Sequence, residues 1–329
     1  MNIQEATHLT LYTGNNGKRQ CTGNCPGCLL TEKGEKLTKF YQGNITQIYE
    51  ALEMLPKLEE VHILGNPDFS VDTDFCNQAA KVFISKGKKV MFSTSGLGGI
   101  KKLEALFEGL DPKYVKYIGF SVDSVNQDTS DLLKGRKNSL KEIGQQIEYC
   151  QKLGINVRIQ PTLWEVNQND YREIIDFFYS KYGVKWYTFH TGSFVGVPDN
   201  SSDICKHIKP DVWCDIVKDL QEIGTRENLV VRVPKTFVTE EEYEQYCKEY
   251  IPYCLINRRK YCTLWLDTAI RGAVCTLLGE TGIKRQSKGC PVIPQLMGKE
   301  LYAEFTGTNE WISSSGRKYF ATCCFYRCL

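Results

Sequence analysis

From residue 7 to about residue 192 the chain alternates short apolar runs with amphipathic stretches. HLTLYT (8–13), EEVHILG (59–65), KKVMFSTSG (88–96), VKYIGFSVD (115–123), INVRIQPTL (155–163) and VKWYTFHTG (184–192) read as six buried strands. Helical periodicity fills the gaps, at 45–55, 73–85, 100–110, 139–154 and 169–183. Asn167 and Asn169 stand where caps for the last of these helices belong, and Gly154 and Gly183 stand where helices stop. Repeated strand–helix units predict an α/β fold with a parallel sheet and right-handed crossovers. Six units suggest a partial (β/α)6 TIM-like barrel, with an open doubly wound sheet as the alternative. After residue 195 come a loop (196–203), a helix (211–224), a strand (228–234) and a short acidic helix (239–250). From Cys254 onward the chain is irregular and rich in Gly, Cys and aromatics, a composition that predicts a metal-stapled segment. The expected division is a barrel with its following helix and strand over 1–235, and a small Cys-rich cluster-binding domain over 236–329.

Composition narrows the function classes. The 41 basic and 39 acidic residues nearly cancel, so no broad basic field for nucleic acid and no polybasic membrane patch is expected. No apolar run approaches the roughly 18 to 20 residues of a membrane helix, and the polar start MNIQEATHLTLYTG lacks the features of a signal peptide. The expected location is cytoplasmic. In that compartment fifteen cysteines argue against disulfides and for metal or redox chemistry. Three lie within eight residues near the start, and ten lie between Cys205 and Cys328.

CTGNCPGC (21–28) follows the first strand and so belongs at its carboxyl end, where parallel barrels gather their active sites. Cys21, Cys25 and Cys28 can fold around one corner of an iron–sulfur cubane, with Gly23, Pro26 and Gly27 supplying the turns. Three ligands leave one iron open. The alternative is zinc, whose sites commonly use paired C-x2-C ligands. Here the spacing is C-x3-C-x2-C, and no His or Cys lies in the following thirty-odd residues (the next is His62).

The spacing and placement of this loop resemble the radical S-adenosylmethionine superfamily, over about residues 5 to 192. That resemblance implies that Cys21, Cys25 and Cys28 carry a catalytic 4Fe–4S cluster whose open iron chelates S-adenosylmethionine. Reductive cleavage would then yield a 5′-deoxyadenosyl radical that abstracts hydrogen from a substrate, with an external donor of the flavodoxin or ferredoxin type. LGNPD (64–68) resembles the family's cofactor-binding turn after strand two through Gly65 and Pro67, while Asn66 and Asp68 depart from it. FSVDS (120–124) resembles the family's Ser-x-Asp pattern, which implies that Ser121 and Asp123 lie near the cofactor. In DTSDLLKGRKNSLKEI (128–143), Arg136 occupies the place of an arginine that meets the cofactor carboxylate, a role suited to a fork of donors. The plainer reading of Ser121 and Arg136 is a strand-end hydroxyl and a solvated charge. His190, ending strand six, is a further cofactor-side candidate or a satisfied strand-end histidine.

In the tail, CTLWLDTAIRGAVC (262–275) resembles the first element of the SPASM/twitch subfamily, whose tail carries auxiliary 4Fe–4S clusters. The intervening residues would form a hairpin bringing Cys262 and Cys275 together, with two further ligands from Cys290, Cys323, Cys324 and Cys328. The subfamily's C-x2-C-x5-C-x3-C run is absent, which favours one auxiliary cluster over two, and a zinc knuckle is the alternative. Cys76 and Cys150, within helical patterns, are expected as core residues, and packing is the default for Cys205, Cys214, Cys247 and Cys254.

Three functions are compatible with this pattern. The first is a maturase that epimerises, cross-links or oxidises a ribosomally made peptide, although the twenty residues before Cys21 leave no room for a leader-binding domain. The second is a dehydrogenase or epimerase of a sugar or aminocyclitol. The third is a non-catalytic metal-binding interaction protein.

Overall fold

The computed structural model describes residues 7–12, 23–27, 31–32, 35–36, 45–64, 68–191, 204–206 and 208–233, together with the strand residues 236–239, 261–265, 273–275, 304–305, 310–312, 318–322 and 325–326. Seven parallel strands form the frame: β1 (His8–Tyr12), β2 (Glu60–Ile63), β3 (Lys89–Thr94), β4 (Val115–Phe120), β5 (Val157–Ile159), β6 (Trp186–Thr188) and β7 (Val230–Val233). They lie side by side in chain order, the curled sheet of a partial TIM-like barrel. The strand expected at 228–234 is thus a seventh member of the sheet, beyond the six strand–helix units counted in the sequence. Tyr261–Trp265 adds a parallel strand beside β1 and pairs antiparallel with Ala273–Cys275, in register Thr263↔Cys275, the hairpin expected over 262–275. Phe325–Tyr326 closes the other edge, antiparallel to β7. The expected acidic helix at 239–250 lies outside the described residues, save Thr239, which ends a strand paired with Lys318–Thr322.

Among the described residues seven helices connect or cover the strands: α1 (Ile45–Met54), α2 (Thr73–Ser85), α3 (Ile100–Phe107), α4 (Gln127–Lys134), α5 (Ser139–Lys152), α6 (Tyr171–Tyr182) and α7 (Pro210–Arg226). Their apolar stripes explain the layer they form. In α2 the buried Cys76, Ala79, Ala80 and Phe83 recur at helical spacing and face the sheet. Cys150 fills the same role in α5, and burial pushes its thiol up to about 12, so it is an inert core residue. Gly154 and Gly183 both adopt positive φ just beyond helix ends, as their positions in the sequence predict.

Two local expectations are corrected. Asn167 does not cap α6. It lies in a separate short turn (Glu165–Asn167), buried, where its side chain accepts from Trp164 N at 2.6 Å and donates to the carbonyls of Asp123 and Thr162. Helix α4 falls in a stretch outside the expected helical patterns because it is short and polar. Its ends are nonetheless well specified: Asn126 caps Thr129 N at 3.0 Å, and Gly135 takes the left-handed stop.

The two faces of the strands differ in what they bury. Leu9, Leu11, Val61, Ile63, Val90, Phe92, Ile118, Phe120, Ile159, Tyr187 and Val231 point to the helices in a single apolar core. The alternate positions line the concave side and are mostly polar. No helix among the described residues is long and apolar enough to cross a membrane.

Candidate active site

The carboxyl end of the sheet gathers the described part of the cysteine loop onto helix α4. A helix leaves its last carbonyls without intrahelical partners. The Lys134 carbonyl, in the last turn of α4, accepts Asn24 N at 3.1 Å and faces the Cys25 thiol at 3.7 Å. Gly135 follows with φ +58, and a Cβ there would run into the backbone of Asn24, so only glycine lets loop and helix meet this closely. Gly27 is pressed on its other side by Trp164, and a Cβ on it would stand 2.9 Å from Cys205 Sγ. The loop is therefore seated in a close-fitting cradle. Cys25 is half-buried in it, with its thiol against the Lys134 carbonyl. Cys21 and Cys28 lie outside the described residues, and so do Gly65, Asn66 and Pro67. Among the described residues no three metal-binding side chains converge on one position.

The Lys134 side chain ties the same helix to strand β4. Only 2% exposed, it forms an ion pair with Asp123 at 2.7 Å and donates to Ser121 Oγ at 2.7 Å. Asp123 also accepts Thr162 N at 2.7 Å, beyond the end of β5. Ser121 and Asp123, paired in the sequence pattern, thus share one buried cation that sequence reasoning passed over. The signal was available: a lysine one residue before a glycine stop is a last-turn residue whose side chain folds back along the helix. Arg136 lies just beyond. Its fork is engaged by the Leu97 carbonyl and Glu142, each at 2.7 Å. Asp68, the departure noted in the turn after β2, is buried and fully bonded, accepting from Ser70 N, Thr94 Oγ1, Ser95 N and Ser95 Oγ. It joins the ends of β2 and β3.

Below this layer the concave face continues as a polar belt. His62 Nε2 lies 2.8 Å from Ser93 Oγ, which donates to Gln160 Oε1 at 2.9 Å. Arg158 lies over the Tyr117 ring, 3.7 Å from its centroid, and donates to the Tyr117 hydroxyl at 2.8 Å. Burial, then the Arg158 cation, pushes His62 down to about 3; the same two causes, opposed by Asp123, push His190 down to about 4. At neutral pH both rings are uncharged hydrogen-bonding groups.

The comparisons with known proteins agree with this geometry. Residues 16–178 match the model of the Radical SAM superfamily. Among solved structures, SuiB of Streptococcus suis superposes with a TM-score of 0.57 at 13% identity, over 79% of this chain and 58% of that one. SuiB bound to its precursor peptide SuiA gives 0.55 over 57% of its length. The protein anSMEcpe with bound AdoMet gives 0.53 at 12% identity, over 68% of this chain and 64% of that one. At such identities the shared property is the fold, and the chain spans less than two thirds of each of these proteins. No curated protein matches.

Proposed function

We propose, from the match of residues 16–178 to the Radical SAM superfamily model, that the chain is a radical enzyme acting on a ribosomally made peptide. In this reading Cys21, Cys25 and Cys28 hold a 4Fe–4S cluster at the mouth of the barrel. When bound, that cluster and S-adenosylmethionine supply one-electron, hydrogen-abstracting chemistry. The observation that carries the reading is the seating of the Cys25 loop on the end of α4, at the open end of a polar concave face. Of the donor set the structure describes Cys25, whose thiol sits in a cradle that glycines keep narrow, as a cluster ligand requires. Peptide substrates are favoured by the likeness to SuiB and anSMEcpe, both of which have been solved with bound peptides.

The chain's own residues then divide the work. Lys134 holds Ser121 and Asp123 in fixed positions beside the cysteine loop, so both are set before any ligand arrives. Gly65, Asn66 and Pro67 would contribute backbone to the cofactor's amino group. Arg136 would reach its carboxylate by exchanging Glu142 for it. His190, neutral at the rim, can donate or accept a hydrogen bond without adding charge. In the tail, Cys262 and Cys275 with two of Cys290, Cys323, Cys324 and Cys328 would hold one auxiliary cluster, a twitch-like arrangement, and a flavodoxin- or ferredoxin-type protein would deliver electrons.

The test is anaerobic reconstitution. Wild-type protein should bind about eight irons per chain, about four at each site. Cys25→Ala should lose about half of them and all conversion of S-adenosylmethionine to methionine and 5′-deoxyadenosine. Stoichiometric zinc in protein purified without air, with no broad absorbance near ~400 nm, would sink the assignment.

A further inference from the structure

The polar belt has a direction, and the direction leaves one amide donor without a partner among the described residues. Gln160 Oε1 can only accept, so the Ser93 hydroxyl donates to it. Ser93 has a single hydrogen, so its oxygen must accept from His62 Nε2–H, the tautomer that a neutral His62 can hold. Gln160 is thereby fixed through one end of its amide. The amide lies flat over Gly119, where any Cβ would collide with it, and its Nε2 donates to no described residue. The pairing of β5 with β6 runs Arg158↔Trp186 and Ile159↔Tyr187, and its next step sets Gln160 beside Thr188. Thr188 is 7% exposed, and its hydroxyl has no partner among the described residues. The Gln160 amide leans the other way, over Gly119 of β4 and towards Ser93 of β3, away from β6.

We propose that Gln160 is a substrate-positioning residue that holds a main-chain carbonyl of the peptide on the concave face. This rests on the radical-enzyme reading, which makes that face the substrate surface. The Gln160 amide supplies a neutral donor of the kind a peptide carbonyl accepts. The His62–Ser93 chain presets the amide, so no rotamer freedom is lost on binding.

The test uses anaerobically reconstituted holoenzyme with S-adenosylmethionine and no reductant, and a pool of random hexapeptides as the probe. Peptide retained through gel filtration is quantified by mass spectrometry. Wild type should retain peptide above a protein-free blank. Gln160→Met, similar in volume but without the donor, should retain at least about fivefold less, consistent with losing one hydrogen bond of about 1 kcal/mol or more. Gln160→Glu keeps an acceptor for Ser93 and exchanges the outward donor for a carboxylate, which repels a carbonyl, so Gln160→Glu should fall at least as far as Gln160→Met. Thr188→Val, isosteric and on the far side of β5, is the control and should leave retention unchanged. S-adenosylmethionine affinity should move less than about twofold in all three. Retention at wild-type level in Gln160→Glu, no retention by wild type, or a large loss of S-adenosylmethionine affinity would each overturn the inference. Absence of S-adenosylmethionine cleavage by reduced wild type would instead strike the radical-enzyme reading, which the peptide measurement does not depend on.

Discussion

The two faces of the barrel sheet are built from the same strands, often from adjacent residues, and obey different rules. On the helix side Phe92, Ile118, Phe120 and Tyr187 are fully buried in one apolar cluster. One residue along each strand, the concave side shows Ser93, Gly119, Ser121 and Thr188: the serines are joined by side-chain hydrogen bonds, Gly119 lies under the Gln160 amide, and the Thr188 hydroxyl has no partner among the described residues. Parallel sheets covered on both faces read as continuous apolar runs. A sheet that alternates while lying parallel has kept one face for something other than packing. The outer face supplies stability, and the inner face spends little of it.

That contrast can be broken at its strongest point. Phe92→Ala removes a fully buried ring from the outer face and should cost about 3–5 kcal/mol, read as a lowered midpoint in urea. A loss below about 1 kcal/mol would mean that the outer face is not the core. Next in size is Lys134→Met. It leaves the Asp123 carboxylate buried without its cation and should cost about 3 kcal/mol. Because Lys134 also holds Ser121, the same variant should weaken S-adenosylmethionine binding, whereas Phe92→Ala, measured below its unfolding transition, should not. Equal effects on binding would erase the distinction between the faces.

How much of this was legible in the sequence follows the same division. Strand positions and the α2, α5 and α6 helices were legible because buried apolar residues leave a period in the sequence. The runs VMFSTS and VKYIGFSVD even carry the alternation, but reading them as buried strands hid their polar half. Helix α4 was missed because it buries little, and its identity rests on the Asn126 cap and the Gly135 stop. Asn167 looked like a helix cap, yet tertiary partners claimed it, since a buried asparagine can satisfy three backbone groups at once. Spacing identified the cysteine loop, but nothing local announces that Lys134, more than a hundred residues away, receives it. Long-range partners of polar side chains leave no periodic trace.

A third effect, of intermediate size, comes from the inner face alone. His62 and His190 are held at about 3 and about 4, below the ordinary histidine value of 6.5. Between pH 6.5 and those values the unfolded chain binds protons that the folded chain refuses. Stability is therefore complete above pH 6.5 and falls as pH drops through this window. Lowering pH from 7.5 to 5.5 should cost roughly 3 kcal/mol, and His62→Asn should remove about half of that slope. Glu60, pulled down to about 2 chiefly by its hydrogen bond with His8, acts on the other side of the window. Its stabilisation is present above about 4.5 and is lost only as pH falls towards 2. Urea midpoints that do not move between pH 7.5 and 5.5 would show that the belt does not exclude protons as its geometry implies.

The smallest effect is the sharpest test of the contrast, because it sits one residue from the largest. Ser93→Ala deletes the link between His62 and Gln160 without opening a cavity of consequence. Both partners lie on a half-buried concave surface, where water can take over the lost bonds. The expected cost is therefore under about 1 kcal/mol, the net worth of one or two side-chain hydrogen bonds. Its consequence should appear elsewhere. Without the Ser93 hydroxyl the Gln160 amide is free to turn over Gly119, and peptide retention should drop towards that of Gln160→Met while the urea midpoint barely moves. A stability loss approaching that of Phe92→Ala would mean that the inner face is packed like a core. A mild loss with unchanged retention would mean that Ser93 does not set the amide.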